Sequence, residues 1–163
     1  MESNQTIYYK TPIGTAKIVG NINGIQSISV LDEGPSIELK TTIIPNYLQE
    51  CVTQLEEYFN GKRTEFNLKL NPKGTDFQQR VWKELQTIPF SKISTYLEQS
   101  KMLGNVKAIR AVASANGKNP IWIVIPCHRV IGSDGSLTGY AGGIWRKKWL
   151  LAHENPVKQQ ALF

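Results

Sequence analysis

The sequence has few side chains that could bind a metal or form a disulfide. It contains two cysteines, Cys51 and Cys127, and two histidines, His128 and His153, in 163 residues. These four residues form no CxxC pair and match no zinc-binding spacing. We therefore expect neither a metal site nor a disulfide.

Long apolar runs, a secretory leader and cofactor motifs are absent as well. No stretch is long enough to cross a bilayer, and the opening MESNQTIYYKTPIG lacks a basic segment followed by an apolar one. Neither GxGxxG nor a P-loop occurs. We expect an intracellular, cytoplasmic protein (nuclear in a eukaryote) that binds no membrane and needs no cofactor.

The charge is divided unevenly along the chain. Residues 1–71 carry six Lys/Arg and eight Asp/Glu, whereas residues 72–163 carry thirteen and five. The segment NPKG follows the first part, so we predict an N-terminal domain over 1–71 and a C-terminal domain over 72–163. The basic part favours an anionic partner, nucleic acid being the usual one, although a charge that only maintains solubility explains it equally well.

The first domain is predicted to contain an antiparallel meander and a helix. Short β-branched and aromatic runs between PIG and NING turns predict the strands. Apolar residues at helical spacing then form a stripe ending at Asn60-Gly61: Tyr47, Leu48, Cys51, Val52, Leu55, Tyr58 and Phe59. Because Cys51 lies on this stripe, we expect it to be an unreactive core residue.

Two capping signals predict helices in the second domain. Thr75 with Gln78 and Thr95 with Glu98 both resemble capping boxes. The second of them places Tyr96 at an exposed helix start. After the turn Leu103-Gly104-Asn105, a further helix is predicted to end at Asn116-Gly117, which makes a helix-turn-helix.

The second helix of this pair has a slim basic face. The expected inward stripe is Val106, Ile109, Val112 and Ala113. The other face carries Lys107, Arg110 and Ser114, with Ala111 and Ala115 keeping the helix narrow. Such a helix can approach a duplex closely, although helix hairpins used only for packing are common.

The remaining segments predict a strand, a hairpin and a final helix. PIWIVI is predicted to be a buried strand, and Asp134-Gly135 predicts a hairpin that would form a wing. The final helix is predicted from about Ile144 to His153. Its expected apolar face is Trp145, Trp149 and Leu150, and its expected basic face is Arg146, Lys147 and Lys148.

Cys127 and His128 are adjacent in IVIPCHRVIGS. A thiol with a pKa of about 8.5 is only about 3% thiolate at neutral pH, so a nucleophilic cysteine needs a base or a cation nearby. His128 can help directly only if the chain turns at Pro126-Cys127, and otherwise through a water. Glu154 or Asn119 could orient the imidazole. Taken alone, these residues favour an inert buried cysteine.

A longer pattern changes that interpretation. GTDFQQRVWKELQTIPF, RAVASANGKNPIWIVIPCHRVIG, GSLTGYAGG and WLLAHE follow one another over about residues 74–154 and resemble the O6-alkylguanine-DNA alkyltransferases. The first half is more weakly similar, in TPIGTAKIV and YFNGKR. The resemblance implies an α+β fold: a small α/β, ribonuclease-H-like N-terminal domain and a mainly helical, winged helix-turn-helix C-terminal domain.

The resemblance also implies a reaction and its residues. Cys127 would accept the alkyl group of O6-methylguanine in double-stranded DNA, once and irreversibly. His128 would act through a water, and Glu154 would orient the His128 imidazole. Asn119 would order the active-site turn. Tyr96 would contact DNA by crowding the target phosphate and would aid proton transfer to the leaving guanine. No cofactor is implied, because the lesion itself donates the methyl group.

The other implied residues contact DNA. Arg110 would fill the gap left by the flipped base, on a helix whose DNA-binding face also includes Lys107, Ala111 and Ser114. The base pocket is implied at Val130, Tyr140 and Ala141. The expected protein is a monomer associated with DNA, with cooperative binding and O4-methylthymine repair left open.

The sequence departs from the family pattern at a few positions. Leu97 follows Tyr96, Ser100 lies one turn later, and Phe90-Ser91 replaces an aromatic-glycine pair. We expect these changes near the DNA approach, where they would affect lesion preference. The main alternative function is a lesion-binding winged-helix module without turnover. A cysteine hydrolase is a third, for which no oxyanion loop is evident.

Overall fold

The computed structural model describes residues 3–33, 44–137 and 139–155. Contacts within the chain group into two compact units, Met1–Lys73 and Gly74–Phe163. The division lies within the NPKG segment.

The first unit contains the antiparallel meander. Its strands are β1 (Gln5–Thr11), β2 (Gly14–Asn21) and β3 (Gly24–Leu31), in the order β1-β2-β3. Ile7 pairs with Ile18, which pairs with Ile28, and all three side chains are buried on one face. Alternation of buried and exposed residues with period two therefore sets the register of the sheet.

A helix covers the buried face of this sheet. Helix α1 (Asn46–Phe59) contacts all three strands and buries Leu48, Cys51, Gln54, Leu55, Tyr58 and Phe59. Cys51 has no exposed surface, and its burial raises the pKa of the thiol to about 12. The prediction that Cys51 is a core residue is confirmed.

The second unit is mainly helical. It contains α2 (Asp76–Leu85), α3 (Tyr96–Met102), α4 (Ile109–Gly117) and α5 (Ile144–Glu154). Two short strands, β4 (Ser94–Thr95) and β5 (Val130–Ile131), pair in parallel. A sheet-and-helix unit followed by a helical unit confirms the α+β fold class.

The two capping signals differ in the structure. Thr75 and Gln78 form the reciprocal capping box of α2. At α3, the Thr95 hydroxyl accepts the Glu98 amide hydrogen at 3.0 Å. The Glu98 carboxylate accepts a hydrogen bond from the Ser94 hydroxyl at 3.4 Å. Thr95 still caps α3, so Tyr96 begins that helix as predicted.

Helices α3 and α4 form the predicted helix-turn-helix. Gly104 (φ 85°) provides the left-handed turn between them, and Asn105 caps the 3₁₀ turn that precedes α4. Gln99 and Asn116 exchange two amide hydrogen bonds of 2.9 and 2.8 Å in the buried space between the helices. A buried pair that satisfies both amides fixes the helix packing more strictly than apolar contact would.

Part of the predicted inward stripe of α4 is wrong. Val106 is 49% exposed and Ile109 is 37% exposed, whereas Val112, Ala115 and Asn116 are buried. The 3₁₀ turn before α4 changes the helical phase, so a period of 3.6 counted from Val106 gives the wrong face.

The predicted wing is present only as a turn in the residues that the structure describes. Gly135 donates to the Gly132 carbonyl at 2.9 Å, and Gly132 donates to the Ser136 carbonyl at 2.9 Å. Strand β5 pairs in parallel with β4, and no antiparallel partner follows it within 130–137. Thr138, in the segment that would continue the hairpin, lies outside the described residues.

Candidate active site

The segment before Cys127 is a series of tight turns, so the predicted PIWIVI strand is wrong. Val124 donates to the Trp122 carbonyl at 2.8 Å, which closes a γ-turn around Ile123 (φ 69°). Ile125 donates to the Ile121 carbonyl at 3.0 Å. A β-branched residue in this left-handed region is strained, and only a well-packed surrounding maintains it. Ile123 is 1% exposed, so its apolar side chain is part of that packing.

A second tight turn presents the cysteine. Cys127 donates its amide hydrogen to the Ile125 carbonyl at 2.9 Å across Pro126, whose angles (φ −85°, ψ 63°) are those of an inverse γ-turn. A 3₁₀ turn over Cys127–Arg129 follows immediately. The chain therefore turns at Pro126-Cys127, as direct assistance by His128 would require.

Asn119 holds this turn together from the end of α4. Its amide nitrogen donates to the Ile125 carbonyl at 2.7 Å and lies 3.2 Å from the Cys127 sulfur. Its amide oxygen accepts the Ile121 amide hydrogen at 2.9 Å. One side chain thus bonds both ends of the turn and also contacts the thiol.

Opposing influences act on the Cys127 thiol. Burial raises the pKa of Cys127, and the Asn119 hydrogen bond, the Lys147 charge and the Cys127 amide all oppose that rise. The residue itself retains partial exposure. Because the net shift is upward, the resting group is mainly the thiol and its reaction needs a proton acceptor.

His128 is buried and bonded to Glu154. The imidazole Nε2 lies 2.7 Å from Glu154 Oε2, and the side chains are 0% and 2% exposed. An ionised carboxylate can only accept, so neutral His128 carries its proton on Nε2. Nδ1 is then the basic nitrogen, and this atom is buried without a hydrogen-bond partner in the part of the chain that the structure describes.

Arg129 completes this cluster, and sequence reasoning missed it. Its Nε donates to Glu154 Oε1 at 2.8 Å and its Nη2 to Oε2 at 3.1 Å. Its Nη1 donates to the Ile88 carbonyl at 2.7 Å, and its guanidinium lies 5.9 Å from the Phe90 ring centroid. The Arg129 side chain is 7% exposed. The only sequence signal was an arginine directly after the Cys-His pair.

The charges in this cluster set its protonation. Burial acts to raise the pKa of Glu154, but the hydrogen bonds and charges of His128 and Arg129 outweigh it and hold that pKa well below its usual range. Burial lowers the pKa of His128, Glu154 opposes this, and Arg129 and Lys147 lower it further. Glu154 is therefore ionised and His128 neutral at pH 7.

Ser91 also contacts the Glu154 carboxylate. Its backbone N–H lies 3.4 Å from Oε1, and its φ is 70°. This left-handed backbone conformation costs roughly 1 kcal/mol more for serine than for glycine. Ser91 thus lies at the carboxylate behind His128.

Strand pairing brings the Tyr96 helix start beside the cysteine turn. Ser94 pairs with Val130 and Thr95 with Ile131, so β4 leads into Tyr96 next to the strand that follows the turn. The Lys147 ammonium lies 5.9 Å from the Tyr96 ring centroid. It is also close enough to Cys127 for their charges to interact.

The predicted faces of α5 are partly wrong. Lys147 is 1% exposed and Arg146 is 5% exposed, whereas Trp145 is 52% exposed. The inward side carries Lys147, Leu150 and Glu154, spaced by three and four residues. Because this side faces the cysteine turn, its inward residues are mostly charged, and apolar periodicity could not identify it.

The three implied base-pocket residues differ in exposure. Val130 is fully buried, and Ala141 is exposed. The Tyr140 hydroxyl is buried; burial raises the pKa of this phenol well above its usual value, and the nearby Cys127 adds to the rise. Tyr140 is therefore neutral and lies within electrostatic reach of the sulfur.

Four of the five predicted DNA-binding residues are exposed on the helix-turn-helix: Lys107, Arg110, Ala111 and Ser114. Tyr96, the fifth, is partly buried at the start of α3. Helix α4 ends next to Asn119, whose amide hydrogen is donated to the Asn116 carbonyl at 3.2 Å. Helix α4, which carries Arg110, Ala111 and Ser114, therefore leads directly to the residue that holds the cysteine turn.

Two further features concern the part of the chain that the structure describes. None of its helices has both the length and the apolarity to cross a membrane. Within the same residues, no group of three or more His, Cys, Asp or Glu side chains could hold a metal ion.

Two family models match the chain. Residues 6–72 match the ribonuclease-like domain of 6-O-methylguanine DNA methyltransferase, and residues 76–156 match its DNA-binding domain. A methylated-DNA–protein-cysteine methyltransferase of Methanosarcina barkeri is 47% identical, over 91% of this chain and 97% of the relative.

Solved structures are also similar. The Mycobacterium tuberculosis O6-methylguanine methyltransferase has a TM-score of 0.83 at 42% identity, covering 94% of each chain. Mycobacterium tuberculosis OGT in complex with DNA has a TM-score of 0.81 at 44% identity, covering 94% of this chain and 92% of that one.

Proposed function

This chain belongs to the 6-O-methylguanine DNA methyltransferase family, and on that premise we propose that it repairs O6-methylguanine in double-stranded DNA. The methyl group is transferred to Cys127. A sulfur–carbon bond forms as the bond from the methyl carbon to guanine O6 breaks, and the electron pair leaves with the guanine. A thioether has no good leaving group, so each chain acts once.

The observation that carries this proposal is the group of contacts around the thiol. A partly exposed Cys127 is bonded to Asn119 and adjoins a buried His128–Glu154 pair. Glu154 fixes the tautomer in which His128 Nδ1 can accept a proton. We infer that a water bridges the thiol and Nδ1, since a water that bridges two polar groups is enthalpically nearly as good as a direct hydrogen bond.

Proton delivery to the guanine is assigned to Tyr96. The departing purine develops negative charge, and a donor beside it lowers the barrier. Tyr96 begins α3, whose start is positioned by the β4–β5 pairing next to the cysteine turn. Val130, Tyr140 and Ala141 form the purine pocket in this proposal.

The DNA is bound through the exposed face of α4 and of the 3₁₀ turn that precedes it. The methylated oxygen cannot be reached inside the stack, so the nucleotide must be flipped out at a cost of a few kcal/mol. Arg110 occupies the gap, while Lys107, Ala111 and Ser114 follow the backbone. We also propose that a monomer acts on DNA in the cytoplasm, where Cys127 stays reduced.

The proposal is tested by mapping the methyl group. The protein is incubated with a duplex carrying O6-methylguanine labelled on the methyl group, digested and analysed by mass spectrometry. We expect one methyl group per chain, on the Cys127 peptide, with guanine restored in the DNA. A protein that binds the lesion tightly but gains no methyl group would instead be the lesion-binding module without turnover.

Replacing Arg110 should affect duplex DNA selectively. Stacking of an aromatic side chain on a base is worth about 1–3 kcal/mol, and the planar guanidinium of Arg110 can stack in a similar way, so Arg110→Ala should slow repair in duplex by about 10- to 100-fold. Reaction with the free base O6-benzylguanine needs no flipping and should stay close to wild type.

The matched control for Arg110 is Lys107→Ala on the same exposed face. This variant should weaken duplex binding by losing one phosphate contact, with a shallower salt dependence and little change in the rate once DNA is bound. Equal losses for Arg110→Ala on both substrates would refute the role of Arg110 in flipping.

A further inference from the structure

The Glu154 carboxylate is shared between His128 and Arg129. Arg129 bonds both carboxylate oxygens, at 2.8 and 3.1 Å, and His128 bonds one of them at 2.7 Å. All three side chains are at least nine-tenths buried. Their charges therefore interact strongly, because little water is present to screen them.

The net charge of this cluster depends on the state of His128. With a neutral imidazole, Glu154 and Arg129 cancel, and the cluster has no net charge. With an imidazolium, the cluster becomes cationic in a buried site. Without Arg129, an imidazolium would neutralise a buried carboxylate, so the loss of Arg129 shifts the balance towards the charged imidazole although burial still opposes it.

We propose that Arg129 is a positioning residue that keeps His128 neutral, so that the resting site is a thiol with a basic imidazole and not a thiolate–imidazolium ion pair. The chemical meaning of this inference rests on the proposed methyl transfer, in which Nδ1 accepts the thiol proton. A carboxylate acting alone on His128 would favour the imidazolium, which has no lone pair at Nδ1.

Outside the Glu154–Arg129 cluster, the charged group that faces His128 also disfavours an imidazolium. Helix α5 contributes Glu154 and also Lys147, a buried cation that disfavours a second positive charge. The 3₁₀ turn itself contributes Arg129 and the neighbouring Cys127. Ser91, from the loop after α2, presents only a backbone N–H to Glu154.

Further contacts hold the Arg129 guanidinium in position. Its third contact is the Ile88 carbonyl at 2.7 Å, just beyond the end of α2, and the Phe90 ring lies 5.9 Å away. A lysine could supply the same charge but not the two parallel bonds to Glu154. The two substitutions Arg129→Lys and Arg129→Met therefore separate the effect of charge from that of geometry.

The test is an NMR titration of the imidazole nitrogens without DNA. The chain has two histidines, so a His153→Gln variant assigns the signals. In wild type, His128 should remain neutral, with the proton on Nε2, through pH 6.5, the ordinary histidine pKa being about 6.5. Arg129→Met should raise its pKa by about one pH unit or more, a tenfold or larger change in protonation. Arg129→Lys should stay near wild type.

Methyl transfer gives the second readout. In Arg129→Met the acid limb of the pH–rate profile should move to higher pH by the same amount as the NMR titration. A His128 that is already protonated at pH 6.5 in wild type overturns the inference, even if Arg129→Met fails to fold. So does an unchanged titration in both variants. Because the titration contains no DNA, its result is independent of whether the methyl group is transferred.

Discussion

Replacing Cys127 with serine is expected to abolish methyl transfer and to leave lesion binding intact. The hydroxyl is nearly the same size and can keep the Asn119 contact, which is 3.2 Å in the wild type. A serine hydroxyl is, however, a far weaker nucleophile than a thiol, and His128 would have to remove a much less acidic proton. The rate of methyl transfer should fall by more than about 10³-fold, because removal of an enzyme's nucleophile typically causes losses of this size or larger.

Two measurements on Cys127→Ser separate chemistry from binding. Labelled methyl transfer is followed by peptide mapping, and affinity for the lesion duplex is measured by fluorescence anisotropy. The expected result is no methyl group on the protein with a Kd within about threefold of wild type, a difference below 1 kcal/mol. Transfer that continues in this variant would mean that another residue accepts the methyl group.

The matched control for this experiment is the other cysteine. Cys51 has no exposed surface, and its pKa is raised to about 12 by burial on α1. Cys51→Ala should therefore accept a methyl group on Cys127 at the wild-type rate. The comparison assigns the reaction to the environment of one thiol and not to thiols in general.

The features that could be predicted from the sequence are those decided by residues close together in the chain. The meander followed from short runs and turns, and α1 followed from apolar spacing, which also placed Cys51 in the core. Thr75 and Thr95 fixed two helix starts because capping is decided within one turn. The resemblance supplied the family, and local physics alone would have favoured an inert Cys127.

What could not be predicted depends on long-range contacts. The run IWIVIP has the composition of a strand, yet Asn119 and the γ-turn at Ile123 fold it into turns that no propensity indicates. Helix α5 turns Lys147 and Glu154 inward because the cysteine turn supplies their partners. A charged residue is assigned to solvent by periodicity unless its partner is known, and here that partner is distant in sequence.

The contact between Ser91 and Glu154 could not be predicted either, because it joins residues that are distant in sequence. The sequence shows a serine where the family has glycine, but not that the position has a φ of 70° or faces a carboxylate. Ser91 thus contacts the carboxylate that supports His128. Its expected effect on lesion preference stays a prediction.

Glu154→Gln should be strongly destabilising. The substitution leaves Arg129 and its guanidinium in a buried site without a counter-charge, and the new amide must place an NH₂ group against donors. Breaking a buried ion pair by removing one partner costs about 3–5 kcal/mol. The variant also loses the acceptor that fixes the His128 tautomer, so methyl transfer should slow by about 10²- to 10⁴-fold.

The pH dependence of the free energy of unfolding provides a more specific test of the role of Glu154. The pKa of Glu154 is depressed in the folded state, so the unfolded chain binds its proton first as the pH falls. The stabilisation is complete above the unfolded glutamate pKa of about 4.3 and is lost as the pH falls from there towards the folded value. Glu154→Gln should be less stable than wild type at pH 7 and should lose less stability on acidification.

Denaturant unfolding followed by tryptophan fluorescence measures the free energy of unfolding of each variant at each pH. All four tryptophans lie in residues 72–163, so the signal reports the unit that contains Glu154. Glu98→Gln is the matched control, because Glu98 is an exposed carboxylate of the same unit and its loss should change the free energy of unfolding by about 0.5 kcal/mol or less. If the two variants are equally stable and equally acid-sensitive, the buried carboxylate is not the group that holds His128 and Arg129 together.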